Sequence, residues 1–536
     1  MDGATWEIIL SMIKQNQLPN FNKIIKKGVY GDLRSVNPPV TCPAWATMLT
    51  GKNPATLGVF DFFKPTPNYK LGLSKLNWKK WRPIWDIFSD AGKKVCVFNI
   101  PTTTATKING YFISGPIWGE DEDLLAYPKE LNEQLVREKY QIRSSGNNKI
   151  EGDKVYVNDI KRITENKFKI MFKYYNEFNW DLFILGFYYC DQLSHAYWKY
   201  LDRSHPKFSQ NSRLKNVLYE HYALLDTYLG QILENIPDDT TLFVVSDHGH
   251  RSINRAVNLN AWLHKSGFLS IKKSYQIKHK RLSNNRLKKI YFLSRTYSEV
   301  IHFLGLRYKS FFKNIKLKLI DTANVIENKY TIKQPLRDYV NWNNTTAYSM
   351  TFNTISLNLK GREAKGSISK QEYHKERKKI IEELKKLKDP KNNKKVIDKI
   401  WTKEDIYPNS PPDDFPDIYI QFNKGFRNTF SETDDPRTVF FDPPQGSTEH
   451  YLEGIFLAYG AEIETGKKVN IKLEDIVPTI LHICDYQIPE DIDGRVTLEI
   501  LKHDSESAQR EIKKQRISRD RKLKSEIRSI KFTKKI

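Results

Sequence analysis

Two short apolar runs in this sequence end directly in residues that carry chemistry. Residues 181–189 precede Asp191, and residues 240–246 precede Asp247 and His248. The length and apolar content of these runs are typical of buried strands, and helical stretches lie between them. Such alternation predicts an α/β fold with a mostly parallel sheet that helices cover on both faces. In sheets of this kind active groups collect at the carboxyl ends of the strands, so we expect the functional residues there.

The chain has 536 residues, more than a single core usually holds, and the pattern predicts several units. They are a discontinuous core at 1–270 and 441–502, a basic helical insertion at 271–340, a small α+β subdomain at 341–440, and a basic C-terminal tail at 503–536. Within the subdomain we predict strands at 354–360, 394–402 and 416–422 and a helix at 370–388. In the tail, apolar residues are too sparse to pack, which predicts a solvated helix or disorder.

The net charge of +24 is concentrated in two places. Residues 271–340 contain 17 lysines and arginines against 4 acids, and residues 503–536 contain 12 against 5. A globally basic nucleic-acid binder would not show this distribution, and no DNA- or RNA-reading motif is present, so we expect no specific nucleic-acid partner. The insertion is either a solvated helical face or an amphipathic helix that docks on an anionic membrane surface. Docking would bring lipid-linked phosphate esters within reach.

The four cysteines are scattered and form no CxxC motif, which indicates a reducing compartment and argues against a thiolate zinc site. No apolar run is long enough to span a bilayer. We therefore expect a cytoplasmic protein, peripheral at the membrane if the insertion docks there. The oligomeric state stays open.

Several separated segments carry residues that suit one kind of site. Each has an ordinary interpretation by itself: Asp-Gly is typical of a turn, a threonine shortly before proline often leads into a helix, and a lone histidine is usually structural. Asp191 and His195, four apart, would share one face of a helix, where a simple hydrogen bond is the alternative to a ligand pair. The segments are Asp2-Gly3, Thr41-Cys42-Pro43, Asp191 with His195, Asp247-His248, and His450.

Together these residues match the needs of two zinc-like ions. Carboxylate oxygen and imidazole nitrogen both suit such metals. Two ions a few ångströms apart clamp the attacking and leaving oxygens of an in-line displacement, and one of them activates a hydroxyl that it holds.

The order and content of further segments carry a resemblance. They resemble the type I phosphodiesterase/nucleotide pyrophosphatase branch of the alkaline phosphatase superfamily, specifically its prokaryotic phosphohydrolase-or-phosphomutase group. The resemblance implies an alkaline-phosphatase-like α/β/α sandwich and hydrolysis of phosphate mono- or diesters. Besides the segments above, it rests on residues 38–45, 48–54, 257–263, 358–363 and 488–495.

The resemblance also implies roles for individual residues. Thr41 matches the family's nucleophile, which becomes phosphorylated and is then released by water. The cofactors implied are two divalent ions, zinc or alternatively manganese, and the substrate is a small-molecule or lipid-linked phosphate ester. Asp2, Thr41, Asp247 and His248 match the ligands of one ion, and Asp191, His195 and His450 match those of the other.

The chain departs from the family pattern at three points. Ala44 stands where eukaryotic relatives place an asparagine that holds a phosphoryl oxygen. The phosphate-binding arginine of alkaline phosphatases has no counterpart. Family members run a short strand into the Asp-Gly pair, and without it we expect Asp2 to be weakly held. Arg362 and His250 are further candidates for substrate contacts, although a surface turn with a local ion pair is the more ordinary interpretation of Arg362.

Two other functions stay open at this level. A phosphomutase would use the same phosphothreonine and return the phosphoryl group to a bound alcohol. A catalytically impaired binding protein would act through the basic insertion.

Overall fold

The computed structural model describes residues 1–74, 76–116, 125–144, 154–209, 214–273, 336–408, 411–429, 437–442 and 448–516. The helices are α1 Trp6–Lys14, α2 Pro19–Lys27, α3 Thr41–Thr50, α4 Pro54–Leu57, α5 Trp78–Trp81, α6 Ile84–Asp90, α7 Lys129–Arg137, α8 Lys154–Tyr175, α9 Tyr189–Tyr197, α10 Val217–Asn235, α11 Leu259–Lys265, α12 Leu336–Tyr339, α13 Tyr373–Lys385, α14 Lys403–Ile406, α15 Ile476–Ile483 and α16 Glu506–Gln509.

The strands follow the same order along the chain. They are β1 Val29–Arg34, β2 Phe63–Pro65, β3 Leu71–Leu73, β4 Val95–Ile100, β5 Gly110–Ser114, β6 Ala126–Tyr127, β7 Leu182–Leu185, β8 Leu242–Val245, β9 Gly249–Val257, β10 Ala347–Tyr348, β11 Thr354–Leu357, β12 Ile397–Thr402, β13 Ile418–Phe422, β14 Gly425–Asn428, β15 Phe440–Phe441, β16 Thr448–Tyr451, β17 Glu453–Tyr459, β18 Lys467–Lys468, β19 Ile471–Lys472, β20 Ile488–Pro489 and β21 Lys514–Gln515.

Two sheets form the core. In one the strand order is β18-β1-β17-β8, with β19 also paired to β1, and β17 runs antiparallel to both β1 and β8. In the other the order is β6-β5-β4-β7, and β4 is parallel to β5 and β7. The strands β7 and β8 are the apolar runs that the sequence indicated, and each ends just before a polar segment. The predicted α/β class is therefore confirmed.

Helices cover both faces of these sheets. Alternate residues of a strand point to opposite faces, and in β17 Ile455 and Leu457 join one apolar cluster while Phe456 and Ala458 join another. The first cluster includes residues of α1, α2, α8, α9 and α10. The second includes residues of α3, α6 and α15. The core is thus a three-layer α/β/α sandwich.

Residues 341–440 contribute an antiparallel sheet, whose apolar cluster also includes residues of β9 and α11. The strand order is β10-β11-β13-β12, and Ile380 and Leu384 of α13 pack into the same cluster as β13. The strands and the helix lie where the sequence placed them, with ends that differ by a few residues. Strand β9 joins the two units, because β14, β15 and β16 all pair with it.

The basic insertion falls mostly outside the described residues, since 274–335 are not among them. The tail is described as far as residue 516, and this part packs on the core. Ser507 is fully buried, its carbonyl contacts His482 Nε2 at 2.7 Å, and β21 pairs in parallel with β20. Residues 503–516 therefore contact the core, although most of their side chains are exposed to solvent.

Among the residues with described positions, no helix is both long and apolar enough to cross a membrane.

Candidate metal centre

The first residues of the chain are fixed between the ends of two strands. The Met1 ammonium group donates to the Val245 carbonyl at 2.6 Å, and the Asp2 N–H donates to the Phe187 carbonyl at 2.6 Å. The Gly3 N–H donates to Asp247 Oδ1 at 3.1 Å. Asp2 is only 4% exposed. The expectation that Asp2 is weakly held is therefore wrong, because these long-range hydrogen bonds fix the main chain on both sides of its Cα.

Asp2, Asp247 and His248 form one group of candidate ligands. One ligand atom of each residue lies within 4.8 Å of the others. His248 Nε2 is 3.3 Å from Asp247 Oδ2 and 3.5 Å from Asp2 Oδ1. These two carboxylate oxygens are buried and accept no hydrogen bond from any described residue. Burying a carboxylate without a hydrogen-bond donor costs free energy, and a cation bound between the two oxygens would offset that cost.

The electrostatics of this group point the same way. Burial raises the pKa of Asp247 to about 7, and the nearby Asp191 charge adds to the effect. Burial also raises the pKa of Asp2 well above its usual range, with repulsion from Asp247 as the next cause. A divalent ion would offset both the desolvation and the repulsion.

Thr41 is the first residue of α3 and lies beside this group. Its side chain is buried, and its Oγ1 is 3.4 Å from His248 Nε2. The Val40 cap makes no side-chain hydrogen bond to the first turn, and Pro43 contributes no N–H there. The positive end of the helix therefore faces the hydroxyl, an arrangement that favours an anionic group at this position.

A second group is centred on Asp191. Its Oδ1 is 3.2 Å from His195 Nε2, 3.0 Å from His250 Nε2 and 3.1 Å from His450 Nε2. Asp191 and His195 share one face of α9, as their spacing predicted. His250 and His450 lie directly opposite each other on β9 and β16. His248 lies within 4.8 Å of Asp191, His250 and His450, measured between ligand atoms, so the two groups are neighbours.

The protonation states in this second group suit metal binding. Burial lowers the pKa of His250 to about 3 and lowers that of His248 well below its usual value. Burial raises the pKa of Asp191, but the His195 charge and hydrogen bonds from three imidazoles outweigh it and hold that pKa well below the usual range. Asp191 is therefore ionised and His248 and His250 are neutral, the forms that coordinate a divalent ion. For His450, burial is outweighed by the hydrogen bond to Asp191 together with nearby negative charge, which raise the pKa.

All the predicted ligands and the predicted nucleophile converge in space. Sequence reasoning assigned His250 only a substrate contact, whereas the structure places it within the second group. Sequence reasoning also missed Phe352 and Thr448. The Phe352 ring lies 6.1 Å from the His450 ring, and its N–H donates to Asp61 Oδ2 at 2.9 Å. No periodicity or motif marks this loop residue. The predicted ligands and nucleophile that converge are Asp2, Thr41, Asp191, His195, Asp247, His248 and His450.

Arg362 has different surroundings. Its guanidinium donates to Asp417 Oδ2 at 2.7 Å, to Glu363 Oε1 at 2.7 Å, and to the Leu357 and Asp413 carbonyls. These partners all belong to the small subdomain. The local ion pair with Glu363 that the sequence suggested is present, and the fully buried Asp417 adds a second, interior ion pair. The contacts described for Arg362 hold the subdomain together.

Comparison with known families decides what kind of protein carries this site. The model of the type I phosphodiesterase/nucleotide pyrophosphatase family matches residues 1–451. The chain belongs to this family. It is accordingly a hydrolase that acts on phosphoric ester bonds, and the Asp/His groups are the candidate metal site of a metal-dependent enzyme.

Solved structures of similar shape share little sequence with this type I phosphodiesterase/nucleotide pyrophosphatase family member. Human ectonucleotide pyrophosphatase/phosphodiesterase 5 is 13% identical, with a TM-score of 0.49 over 94% of this chain and 98% of the other. Phosphonoacetate hydrolase from Sinorhizobium meliloti, in complex with phosphonoformate, is 13% identical, with a TM-score of 0.51 over 89% of this chain and 92% of the other. The second likeness supports the fold alone. A search among curated proteins finds no match.

Proposed function

We propose that this chain hydrolyses phosphate mono- or diesters of small molecules through a phosphothreonine at Thr41, in a two-metal site like that of a nucleotide pyrophosphatase/phosphodiesterase. One observation carries the proposal. The Thr41 hydroxyl lies at the open N-terminus of α3, 3.4 Å from His248 Nε2, beside two buried carboxylate oxygens that lack hydrogen-bond donors among the described residues.

The donor set divides into two parts. Asp2, Thr41, Asp247 and His248 would hold one ion. Asp191, His195 and His450 would hold the other. When bound, the ions polarise the phosphoryl oxygens and lower the pKa of the threonine hydroxyl. Imidazole and carboxylate donors suit zinc, with manganese as the alternative.

The chain's own residues supply position and the nucleophile. The free N–H groups in the first turn of α3 hold the phosphoryl oxygens, which is the usual anion site of a helix. The Thr41 oxygen then bonds to phosphorus as its proton passes to solvent, and the bond from phosphorus to the leaving oxygen breaks. That oxygen takes up a proton. Water next attacks the phosphothreonine, which releases phosphate or a phosphate monoester and restores the Thr41 hydroxyl.

Ala44 bears on which esters are accepted. It lies one turn into α3 and is fully buried, and its methyl group cannot donate to a phosphoryl oxygen. The selectivity that eukaryotic relatives derive from an asparagine here has to come from other residues in this chain. The proposal therefore covers both monoesters and diesters.

The test compares Thr41→Ala with Thr41→Ser on 4-nitrophenyl phosphate and on bis(4-nitrophenyl) phosphate. We expect Thr41→Ala to abolish turnover while metal content and folding are kept, and Thr41→Ser to retain part of the rate. Thr50→Ala is the matched control, because Thr50 lies at the far end of the same helix, where its hydroxyl donates to the Ala46 carbonyl and accepts from the Lys52 N–H.

Mass spectrometry after rapid acid quench completes this experiment. A phosphoryl group on the peptide that contains Thr41 supports the proposal. Full turnover by Thr41→Ala, or an intermediate on another residue, contradicts it. Transfer to an added alcohol in preference to water would identify a phosphomutase instead.

A further inference from the structure

Three imidazole nitrogens of the second group lie around one carboxylate oxygen. Asp191 Oδ1 is 3.0–3.2 Å from Nε2 of His195, His250 and His450. His195 Nε2 and His450 Nε2 are themselves 3.0 Å apart. A tetrahedral zinc ion with bonds of about 2.0–2.2 Å separates its ligand atoms by roughly 3.3–3.6 Å. The observed spacings are slightly shorter than those edges, so a small expansion of this cage would accommodate the ion.

We propose that His250 is a fourth protein ligand of the ion held by Asp191, His195 and His450. This inference rests on the metal site of the proposed function. Structural zinc sites have four protein ligands, whereas catalytic sites have three and keep one position open. With His250 in place the Asp191 centre would have four protein ligands, so water or a phosphoryl oxygen would enter it as a fifth ligand.

The surroundings of His250 support a ligand role. Its side chain is fully buried, and its Nε2 points at Asp191. Gly3 makes room for it: a Cβ at Gly3 would lie 2.6 Å from His250 Nε2, and Gly3 has φ +65°. A residue with a side chain at this position would displace the imidazole. Gly3 follows the candidate ligand Asp2 directly, so the same segment supplies one ligand and leaves space for the His250 ring.

Hydrogen bonds on the outer side of the imidazoles leave their inner nitrogens free for an ion. The Pro39 carbonyl can only accept, so His450 Nδ1 carries the proton and donates to it at 2.9 Å. Thr448 Oγ1 lies 3.1 Å from His250 Nδ1 and 3.0 Å from His195 Nδ1. A hydroxyl oxygen has two lone pairs and can accept from both. Partners of this kind orient metal-binding imidazoles and fix their tautomers.

Cobalt provides a probe that does not depend on turnover. The full chain, stripped with a chelator, is titrated with Co²⁺, and then Zn²⁺ displaces the Co²⁺. We expect two Co²⁺ ions to bind, one with the intense visible absorption of four-coordinate cobalt. In His250→Gln the intensity of that band should fall, because water replaces an imidazole, and the affinity of this centre should drop by more than tenfold. His482→Gln is the control, a buried histidine whose Nε2 contacts a carbonyl on α16.

A second pair of variants tests the same centre without touching a ligand. Thr448→Val keeps the side-chain shape and removes the hydroxyl, and we expect it to weaken metal binding at this centre roughly 10- to 100-fold. Thr448→Ser keeps the hydroxyl and should bind as the wild type does. This pair tests the support of both His195 and His250, so if His250→Gln fails to fold, as circular dichroism would show, His250→Asn takes its place in the cobalt titration.

The outcomes separate the two proposals. If the wild type binds two Co²⁺ ions and His250→Gln binds both with unchanged spectrum and affinity, His250 only hydrogen-bonds Asp191 and the inference is wrong. Equal binding by Thr448→Val and Thr448→Ser would also overturn it. If the wild type binds no Co²⁺ at all, the two-metal site of the proposed function fails as well.

Discussion

His250 and His450 face each other across the pair of strands β9 and β16, and both imidazoles reach Asp191 Oδ1, at 3.0 and 3.1 Å. The adjacent rung of the ladder pairs Arg251 with Glu449, whose buried side chains form an ion pair at 3.0 Å. A slip of one residue would turn every side chain of β16 to the opposite face. The Arg251–Glu449 pair therefore stabilises the register that brings His450 to Asp191.

We predict that metal removal lowers stability as well as activity. Three carboxylates, Asp2, Asp191 and Asp247, lie close together and would lose the cations that stabilise them. At an ion concentration of 100 to 1,000 times Kd, each site contributes roughly 3–4 kcal/mol to the free energy of unfolding. Calorimetry with and without chelator should show a lower Tm, which zinc or manganese restores. An unchanged Tm after verified metal loss would contradict the prediction.

We predict that Gly3→Ala damages the site and that Gly58→Ala does not. Both glycines have left-handed backbone, with φ +65° and +73°, so an alanine costs about 1–2 kcal/mol at either place. A Cβ at Gly58 meets nothing within 4 Å, whereas one at Gly3 meets His250 Nε2 at 2.6 Å. Both variants should lose stability, and only Gly3→Ala should also lose metal affinity and turnover. Equal metal binding by the two variants would show that His250 can move without consequence.

We predict that Arg362 acts on stability and not on substrate. Removing one partner of a buried ion pair costs about 3–5 kcal/mol, so Arg362→Met should lower the free energy of unfolding by about that amount. The exposed pair Arg495–Glu499 provides the control, and Arg495→Met should cost less than about 1 kcal/mol. Per folded molecule, KM of Arg362→Met should equal that of the wild type. A large rise in KM with unchanged stability would restore Arg362 as a substrate-binding residue.

We predict that His221 makes the protein less stable in acid. Burial lowers its pKa to about 4 from an ordinary value of 6.5, so the folded state keeps it neutral while the unfolded chain takes up a proton. Stability is lost as the pH falls from about 6.5 to 4, in total on the order of 3 kcal/mol. In His221→Leu this part of the pH dependence should vanish. Urea unfolding at pH 7 and pH 5 measures it, and identical pH slopes for the two proteins would refute the assignment.

The sequence predicted the fold where local pattern and tertiary packing agree. The apolar runs that became β7 and β8 could be predicted because their residues carry the strand signal in themselves, and the polar residues that follow them lie where sheet geometry places a site. Asp191 and His195 could be paired because four-residue spacing on a helix is a local property.

The misses concern interactions between distant residues. Asp2 was expected to be loose, yet Phe187 and Val245 hold the main chain around it, and no local pattern reports such bonds. The contact of the described tail residues with the core, through the pairing of β21 with β20, likewise leaves no apolar signature. For His250, the sequence did contain a signal that predicts its position beside His248. His250 lies two residues after His248 at the start of a strand, a spacing that puts both side chains on one face.

The scattered origin of the candidate ligands has a consequence for how the protein is made. His195 and His450 are 255 positions apart, and Gly3 bonds to Asp247 across 244. Contacts of such long range form late in folding, because closing a long loop costs conformational entropy before the contact that stabilises it can form. An ion cannot act as an early folding nucleus here, as it does in small zinc domains. During synthesis the set of donors is completed only when β16 leaves the ribosome, so metal uptake reports that the core has closed.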